Sequence, residues 1–211
     1  MEVCEMLQFA KIISIFIYNL PYEIAIICAI FTKRKRRRIL CGVLAVILLT
    51  VSILGRMFAV VEDAFFTFPT VEKALEYAEV SGDNAPYYTC EGEESFIFHY
   101  GDSKVGFLRK TQGGWKLVGM IESKTKGFSN KEGDVYLFVW NVKGMDDYYI
   151  SVSFRSEITE ISDSYGSVFV DQGTDYTSQH NYYTYVRNFD ENYSFTADGI
   201  TYHLTDFVVF S

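Results

Sequence analysis

The segment that most constrains this chain is Ile39–Val61, ILCGVLAVILLTVSILGRMFAVV, in which the seventeen residues from Ile39 to Gly55 carry no charge. As a helix its 23 residues reach about 34 Å, enough to cross a hydrocarbon core of about 30 Å. A soluble helix of this length shows a polar face, and this one has none. Arg56 falls near one end, where its stem can lie in lipid while the guanidinium reaches the interface. The apolar run is long and no small-x-small cleavage site follows it, so it reads as a retained anchor rather than a signal peptide.

An earlier apolar stretch, Leu7–Phe31, is interrupted by Lys11, Asn19, Pro21 and Glu23. Two readings are open: a first transmembrane helix, kinked at Pro21, or a partly embedded re-entrant or surface segment. Glu23 near mid-membrane is costly unless protonated or paired, so it marks either a tolerated protonated group or a contact with a partner helix. Between the two stretches lies an unbroken basic block, Lys33, Arg34, Lys35, Arg36, Arg37 and Arg38. Basic side chains are retained on the cytoplasmic side, so this block is the topology determinant. It predicts a cytoplasmic loop, with the N-terminus and residues 62–211 both outside.

Charge divides the chain at the same place. Residues 1–61 carry eight basic and three acidic side chains, net +5, and residues 62–211 carry 11 and 24, net −13. An acidic domain repels phosphate backbones, which argues against nucleic acid as a partner. The basic block beside apolar segments suits an anionic membrane face. Of Cys4, Cys28, Cys41 and Cys90, only Cys90 lies beyond the anchor, so no internal disulfide is expected there. About 150 residues can bury a sufficient core without one.

Beyond the anchor, Thr70 caps a short helix whose apolar positions Val71, Ala74, Leu75 and Ala78 recur at helical spacing. Turn residues Gly82, Asp83, Asn84 and Pro86 end it. From Ser95 on, short Val-, Ile-, Phe-, Tyr- and Thr-rich runs alternate with turn signals, of which Asp198-Gly199 is the best tight hairpin. The expected fold is therefore an N-terminal transmembrane helical hairpin (helices about 7–31 and 39–61, basic loop 33–38), then a mainly-β (α+β) extracytoplasmic domain. Its antiparallel sheets would pack in a sandwich-like way. The polar segment 124–134 predicts a boundary between a helix-plus-meander module, 62–123, and an all-β module, 134–211.

The run Phe66-x-x-Pro69-Thr70-x-Glu72-x-Ala74-Leu75, then Phe96–Tyr100, then Leu108-x-Lys110-Thr111-x-Gly113-Gly114-Trp115-Lys116-Leu117-Val118 carries a resemblance. It is similar to uncharacterised membrane-anchored cell-envelope proteins of Gram-positive bacteria, in which an anchor precedes a helix, a hairpin and a strand of this Gly-Gly-Trp type. The resemblance implies compartment and fold, and brings no activity with it. Trp115 is expected to anchor the core of the first module.

Catalytic and metal signals are weak. His99, His180 and His203 are scattered without ligand spacing, and no Cys pair stands beside them, so no metal or cofactor is expected. Asp163-Ser164-Tyr165-Gly166-Ser167 reads as a turn rather than a nucleophile elbow. Asp146-Asp147 and Asp190-Glu191-Asn192 read as solvated turns without calcium-loop spacing. Fourteen of the 16 tyrosines lie beyond residue 62, and Tyr182, Tyr183 and Tyr185 cluster. Tyrosines offer stacking and hydrogen bonding to sugars or proteins, and they also fill half-buried sheet faces. Alternation puts Tyr183 and Tyr185 on one face and Tyr182 and Thr184 on the other. The expectation is a non-enzymatic, membrane-tethered binding or accessory module of the cell envelope, multi-pass in the lipid bilayer, engaging an envelope protein or wall polymer. The alternative is a subunit that docks through its helices, Glu23 included, onto a transporter or sensor.

Overall fold

A computed structural model describes residues 3–57, 66–101, 104–119, 122–174 and 178–210. The chain divides into two compact units, Met1–Asn84 with Thr111–Ile121, and Ala85–Lys110 with Glu122–Ser211. Residues 58–65 and the side chain of Arg56 lie outside what is described, so the end of the helix expected over 39–61 and the interfacial position of Arg56 do too.

In the first unit, α1 (Val3–Phe31) and α2 (Lys35–Met57) form a helical hairpin. Both contain 21-residue stretches long and apolar enough to cross a membrane, Lys11–Phe31 and Lys35–Gly55. The helix continues through Pro21. Large apolar side chains point outward all round, with Ile30 65 %, Leu40 69 % and Val46 64 % exposed. In water such exposure would forfeit roughly 1.5–3 kcal/mol per side chain, whereas in lipid it costs nothing. The seam between the helices is built instead of small and polar residues, the pattern of helices that meet without a hydrophobic driving force. Ser14, Ala25, Ala45 and Ser52 are buried there, and the Tyr18 hydroxyl donates to the Gly55 carbonyl at 3.0 Å. A Cβ on Gly55 would stand 2.8 Å from the Tyr18 ring, so the seam needs glycine at that point.

The basic block occupies the turn and the first turn of α2, and all six side chains are exposed. Cations at a helix N-terminus oppose the helix dipole. Helix stability therefore does not account for this block. In the same unit Thr70 caps α3 (Val71–Tyr77), accepting from the Lys73 backbone N–H at 3.4 Å. Trp115, in β4 (Gly114–Leu117; the preceding strands follow below), is buried and pairs with Phe68 through reciprocal backbone hydrogen bonds of 2.8 and 2.7 Å. The Phe68 ring lies 5.1 Å from that of Tyr77 on α3.

The second unit is antiparallel β-structure. β1 (Tyr88–Glu91), β2 (Ser95–Tyr100) and β3 (Lys104–Thr111) form a meander. A six-stranded sheet follows in the order β13-β5-β6-β7-β10-β9. Its strands are β5 (Ser123–Asn130), β6 (Val135–Val142), β7 (Asp147–Phe154), β9 (Val170–Thr174), β10 (His180–Arg187) and β13 (Phe207–Phe210). A small third sheet has the order β12-β11-β8, from β8 (Ile161–Asp163), β11 (Ser194–Ala197) and β12 (Ile200–His203). The β11–β12 turn is Asp198-Gly199, with φ of +46° and +81°, as a two-residue hairpin of this kind requires.

Register sorts the side chains of the large sheet. Leu137 faces Val152, which faces Tyr182, and Val139 faces Ile150. These share one core with Tyr193, Phe195 and Ala197 of the small sheet and its approach. The opposite face carries the rows Tyr136–Ser153–Asn181, Phe138–Ser151–Tyr183 and Trp140–Tyr149–Tyr185.

Most of the polar segment 124–134, read as a boundary, is β5, paired with β6. One expectation is overturned. Asp147 is not a solvated turn residue, because it is fully buried at the start of β7. Its Oδ2 accepts from the backbone N–H of Glu94 and of Ser95 and from the Ser95 hydroxyl, each at 2.8 Å. Its Oδ1 accepts from the Tyr185 hydroxyl at 2.8 Å. Four donors satisfy a carboxylate that would otherwise be costly to bury, and the β1–β2 turn is thereby held against β7 and β10.

Candidate functional site

The second unit holds a groove of about 980 Å³ on the face of the large sheet opposite the core. Its shape follows from residue size. The central strand β7 presents only Ser151 and Ser153 there, between the aromatic side chains of β6 and the side chains of β10. Small residues flanked by large ones make a trough. Tyr136, Phe138 and Trp140 run along one side, and Phe210 of β13 meets Phe138 edge-on at 5.7 Å. Gly127 admits that ring, since a Cβ there would stand 2.9 Å from two atoms of Phe210. Asn181, Gln172 and Gln179 line the other side, and His99 and Tyr87 are also among the lining residues.

Among the described residues, none that lines the groove carries a formal charge at neutral pH. The aromatic floor is ordered: Phe138 stacks on Trp140 at 5.8 Å, Trp140 on Tyr183 at 6.3 Å, and Tyr183 on Tyr88 at 4.2 Å. His99 enters this stack edge-on, 5.1 Å from Trp140 and 5.2 Å from Tyr183. It is only 3 % exposed, and its Nε2 has no hydrogen-bond partner. Burial among rings lowers its pKa to about 4, so the imidazole is neutral at physiological pH. Buried polar side-chain atoms are normally satisfied, so His99 Nε2, like Arg187 Nε, is an exception.

The fold puts Tyr182 on one face of its strand and Tyr183 and Tyr185 on the other, as alternation predicts. Tyr182 lies in the core, its hydroxyl accepting from the Ile158 N–H at 2.8 Å and donating to the Ile158 carbonyl at 3.1 Å. Tyr183 lies in the groove floor. Tyr185 is half-buried on Asp147, and burial followed by that hydrogen bond pushes its phenol up to about 12. Glu23 belongs to the other unit and is exposed on α1. His180 and His203 lie on β10 and β12, and neither is among the residues lining the groove. Among the described residues, no group of three or more His, Cys, Asp or Glu side chains is placed to hold a metal ion.

Sequence reasoning missed the groove residues of β6 and β7. The alternations Tyr136-x-Phe138-x-Trp140 and Ser151-x-Ser153 are visible in the chain, but both faces of β6 are apolar, so periodicity alone cannot say which one is core. Comparison with protein-family models, with characterised proteins and with solved structures gave no match.

Proposed function

We propose that this protein is a membrane-tethered binding module of the cell envelope. Its helical hairpin anchors it, its acidic, sandwich-like β-domain stands outside the cytoplasm, and its ligand lies in the aromatic groove. The observation that carries the binding reading is the groove itself: an open, aromatic-floored trough whose described lining residues are uncharged and include hydroxyls and amides. Ligand sites are concave, largely apolar and equipped with a few convergent polar groups. The orientation rests on the exposed basic block at the turn of the hairpin, which favours the cytoplasmic side. The resemblance to membrane-anchored envelope proteins of Gram-positive bacteria supports the same compartment. Reconstituted in nanodiscs, the full chain should retain envelope material, with wall polymer and membrane proteins presented separately. Phe138→Ala should lose that retention, and equal retention by the variant would remove the groove from the account.

A second reading is favoured by Glu23, a carboxyl group exposed on the surface of an apolar helix. Such a group in lipid points to a partner helix. If this protein is an accessory subunit of a transporter or sensor, Glu23→Leu should break a complex that survives mild detergent, while Phe138→Ala should leave it intact.

A further inference from the structure

We infer that the groove takes a neutral glycan: a chain of sugar rings without carboxylate, phosphate or amine groups, lying across Phe138, Ser151 and Asn181. This rests on the reading of the groove as the ligand site and specifies its occupant.

Charge narrows the choice first. Residues 62–211 carry net −13, so a polyanion approaching this domain is repelled, and the described residues of the groove offer no cation to compensate. A cationic ligand would gain from the general field, but the described lining residues include no carboxylate to pair with it at contact. The site is thus matched to an occupant without formal charge.

The pattern of side chains narrows it further. Half-buried Tyr136 and Phe138 and the 39 % exposed Phe210 supply apolar surface. Beside them stand Ser151, Ser153, Thr125, Asn181 and Gln172, whose hydroxyls and amides both donate and accept. A sugar ring has the complementary surface, with C–H groups on its faces and hydroxyls round its rim. Asn181 already accepts from the Ser153 hydroxyl and donates to the Gln179 carbonyl, so a polar occupant would meet its remaining donor and acceptor capacity, with that of Ser151 and Gln172, and a purely apolar one would desolvate it. A peptide strand is a poorer match for another reason. Peptides that pair with sheets use a free edge. The groove floor is formed by β6, β7 and β10, each of which has a paired strand on both sides. A peptide backbone lying there would meet side chains only.

His99 is among the residues lining the groove, in an aromatic surround that includes Tyr88, Trp140 and Tyr183. Volume is consistent with more than one ring, because 980 Å³ is at the upper end of the range of about 300–1,000 Å³ for small-ligand sites.

The test is titration calorimetry of the full chain in nanodiscs. The probes are a panel of neutral hexasaccharides (gluco-, manno-, galacto- and chito-configured), an anionic oligogalacturonate of equal length and uncharged extended hexapeptides. At least one neutral hexasaccharide should bind, with the oligogalacturonate at least about tenfold weaker. Phe138→Ala should weaken the binding about tenfold, which corresponds to about 1.4 kcal/mol. Asn181→Ala should do the same, and serves if Phe138→Ala fails to keep the wild-type melting temperature. Binding that is unaffected in both folded variants overturns the proposal, as does the absence of binding by every neutral glycan. Groove-dependent binding of a hexapeptide alone overturns the glycan inference while leaving the binding-module reading intact. If neither class of probe binds and retention of envelope material is also independent of Phe138, both readings fail.

Discussion

His99 makes the stability of the β-domain depend on pH in a way that can be calculated. The perturbation is acidification from pH 8 to pH 5. An unfolded histidine titrates near 6.5, while burial lowers the folded value to about 4. The native state therefore disfavours the proton that the unfolded state accepts. Its contribution is fully present above pH 6.5, declines as pH falls below that value, and is lost completely once pH passes below about 4. Each pKa unit corresponds to about 1.36 kcal/mol, so the full loss is about 3 kcal/mol, of which about 2 kcal/mol has gone by pH 5. Carboxylates titrate at the acidic end of this range, so the reference is His99→Phe, which keeps a ring in the aromatic surround and removes the proton site. The assay is urea unfolding of the full chain in detergent micelles, followed by near-ultraviolet circular dichroism. Between pH 8 and pH 5 the wild type should lose about 2 kcal/mol more than the variant. Parallel pH profiles would refute the assignment of His99 as a buried neutral base.

Other perturbations address the remaining parts of the fold. Asp147→Asn turns one acceptor of four hydrogen bonds into a donor facing donors, and should cost at least about 2 kcal/mol in the same unfolding assay, with Asp147→Ala costing more. Trp115→Ala removes a buried ring from the first unit and should cost about 3–5 kcal/mol; an unchanged melting temperature would show that it is not core. Gly55→Leu drives a side chain into Tyr18 and should part α1 from α2, measured as loss of an engineered disulfide between the helices, whereas Gly42→Leu, where a Cβ meets nothing within 4 Å, should not.

The sequence reveals those elements whose pattern is self-sufficient. β2, β6 and β13 run over Ser95–Tyr100, Val135–Val142 and Phe207–Phe210, the limits their β-branched and aromatic composition predicts. The two apolar helices, the Thr70 cap and the Asp198-Gly199 hairpin are equally local. β5 is not. Its residues Lys124, Thr125, Lys126 and Gly127 read as part of a polar boundary, because the strand derives its stability from pairing with β6 and β13 rather than from its own burial. β1 is obscured in the same way by the turn chemistry that precedes it, with Tyr88 its only fully buried side chain. Asp147 misleads because a pair of aspartates ordinarily marks water, whereas here four donors converge on the second one from β1–β2 and β10. The groove is a tertiary property. It exists because two serines on one strand fall beside aromatics on another, a register that only the folded sheet specifies.

The central claim is that the hairpin displays the acidic β-domain on the side of the bilayer opposite its basic turn. It is tested most directly by single-cysteine labelling in intact cells, in a background with Cys4, Cys28, Cys41 and Cys90 replaced. Lys131, exposed in the turn after β5, and Lys33, exposed in the basic turn, are suitable reporter positions. A membrane-impermeant thiol reagent should label Lys131→Cys in whole cells and Lys33→Cys only after lysis. The reverse pattern would put the β-domain in the cytoplasm, and labelling of both in whole cells would mean that the basic turn is not retained inside.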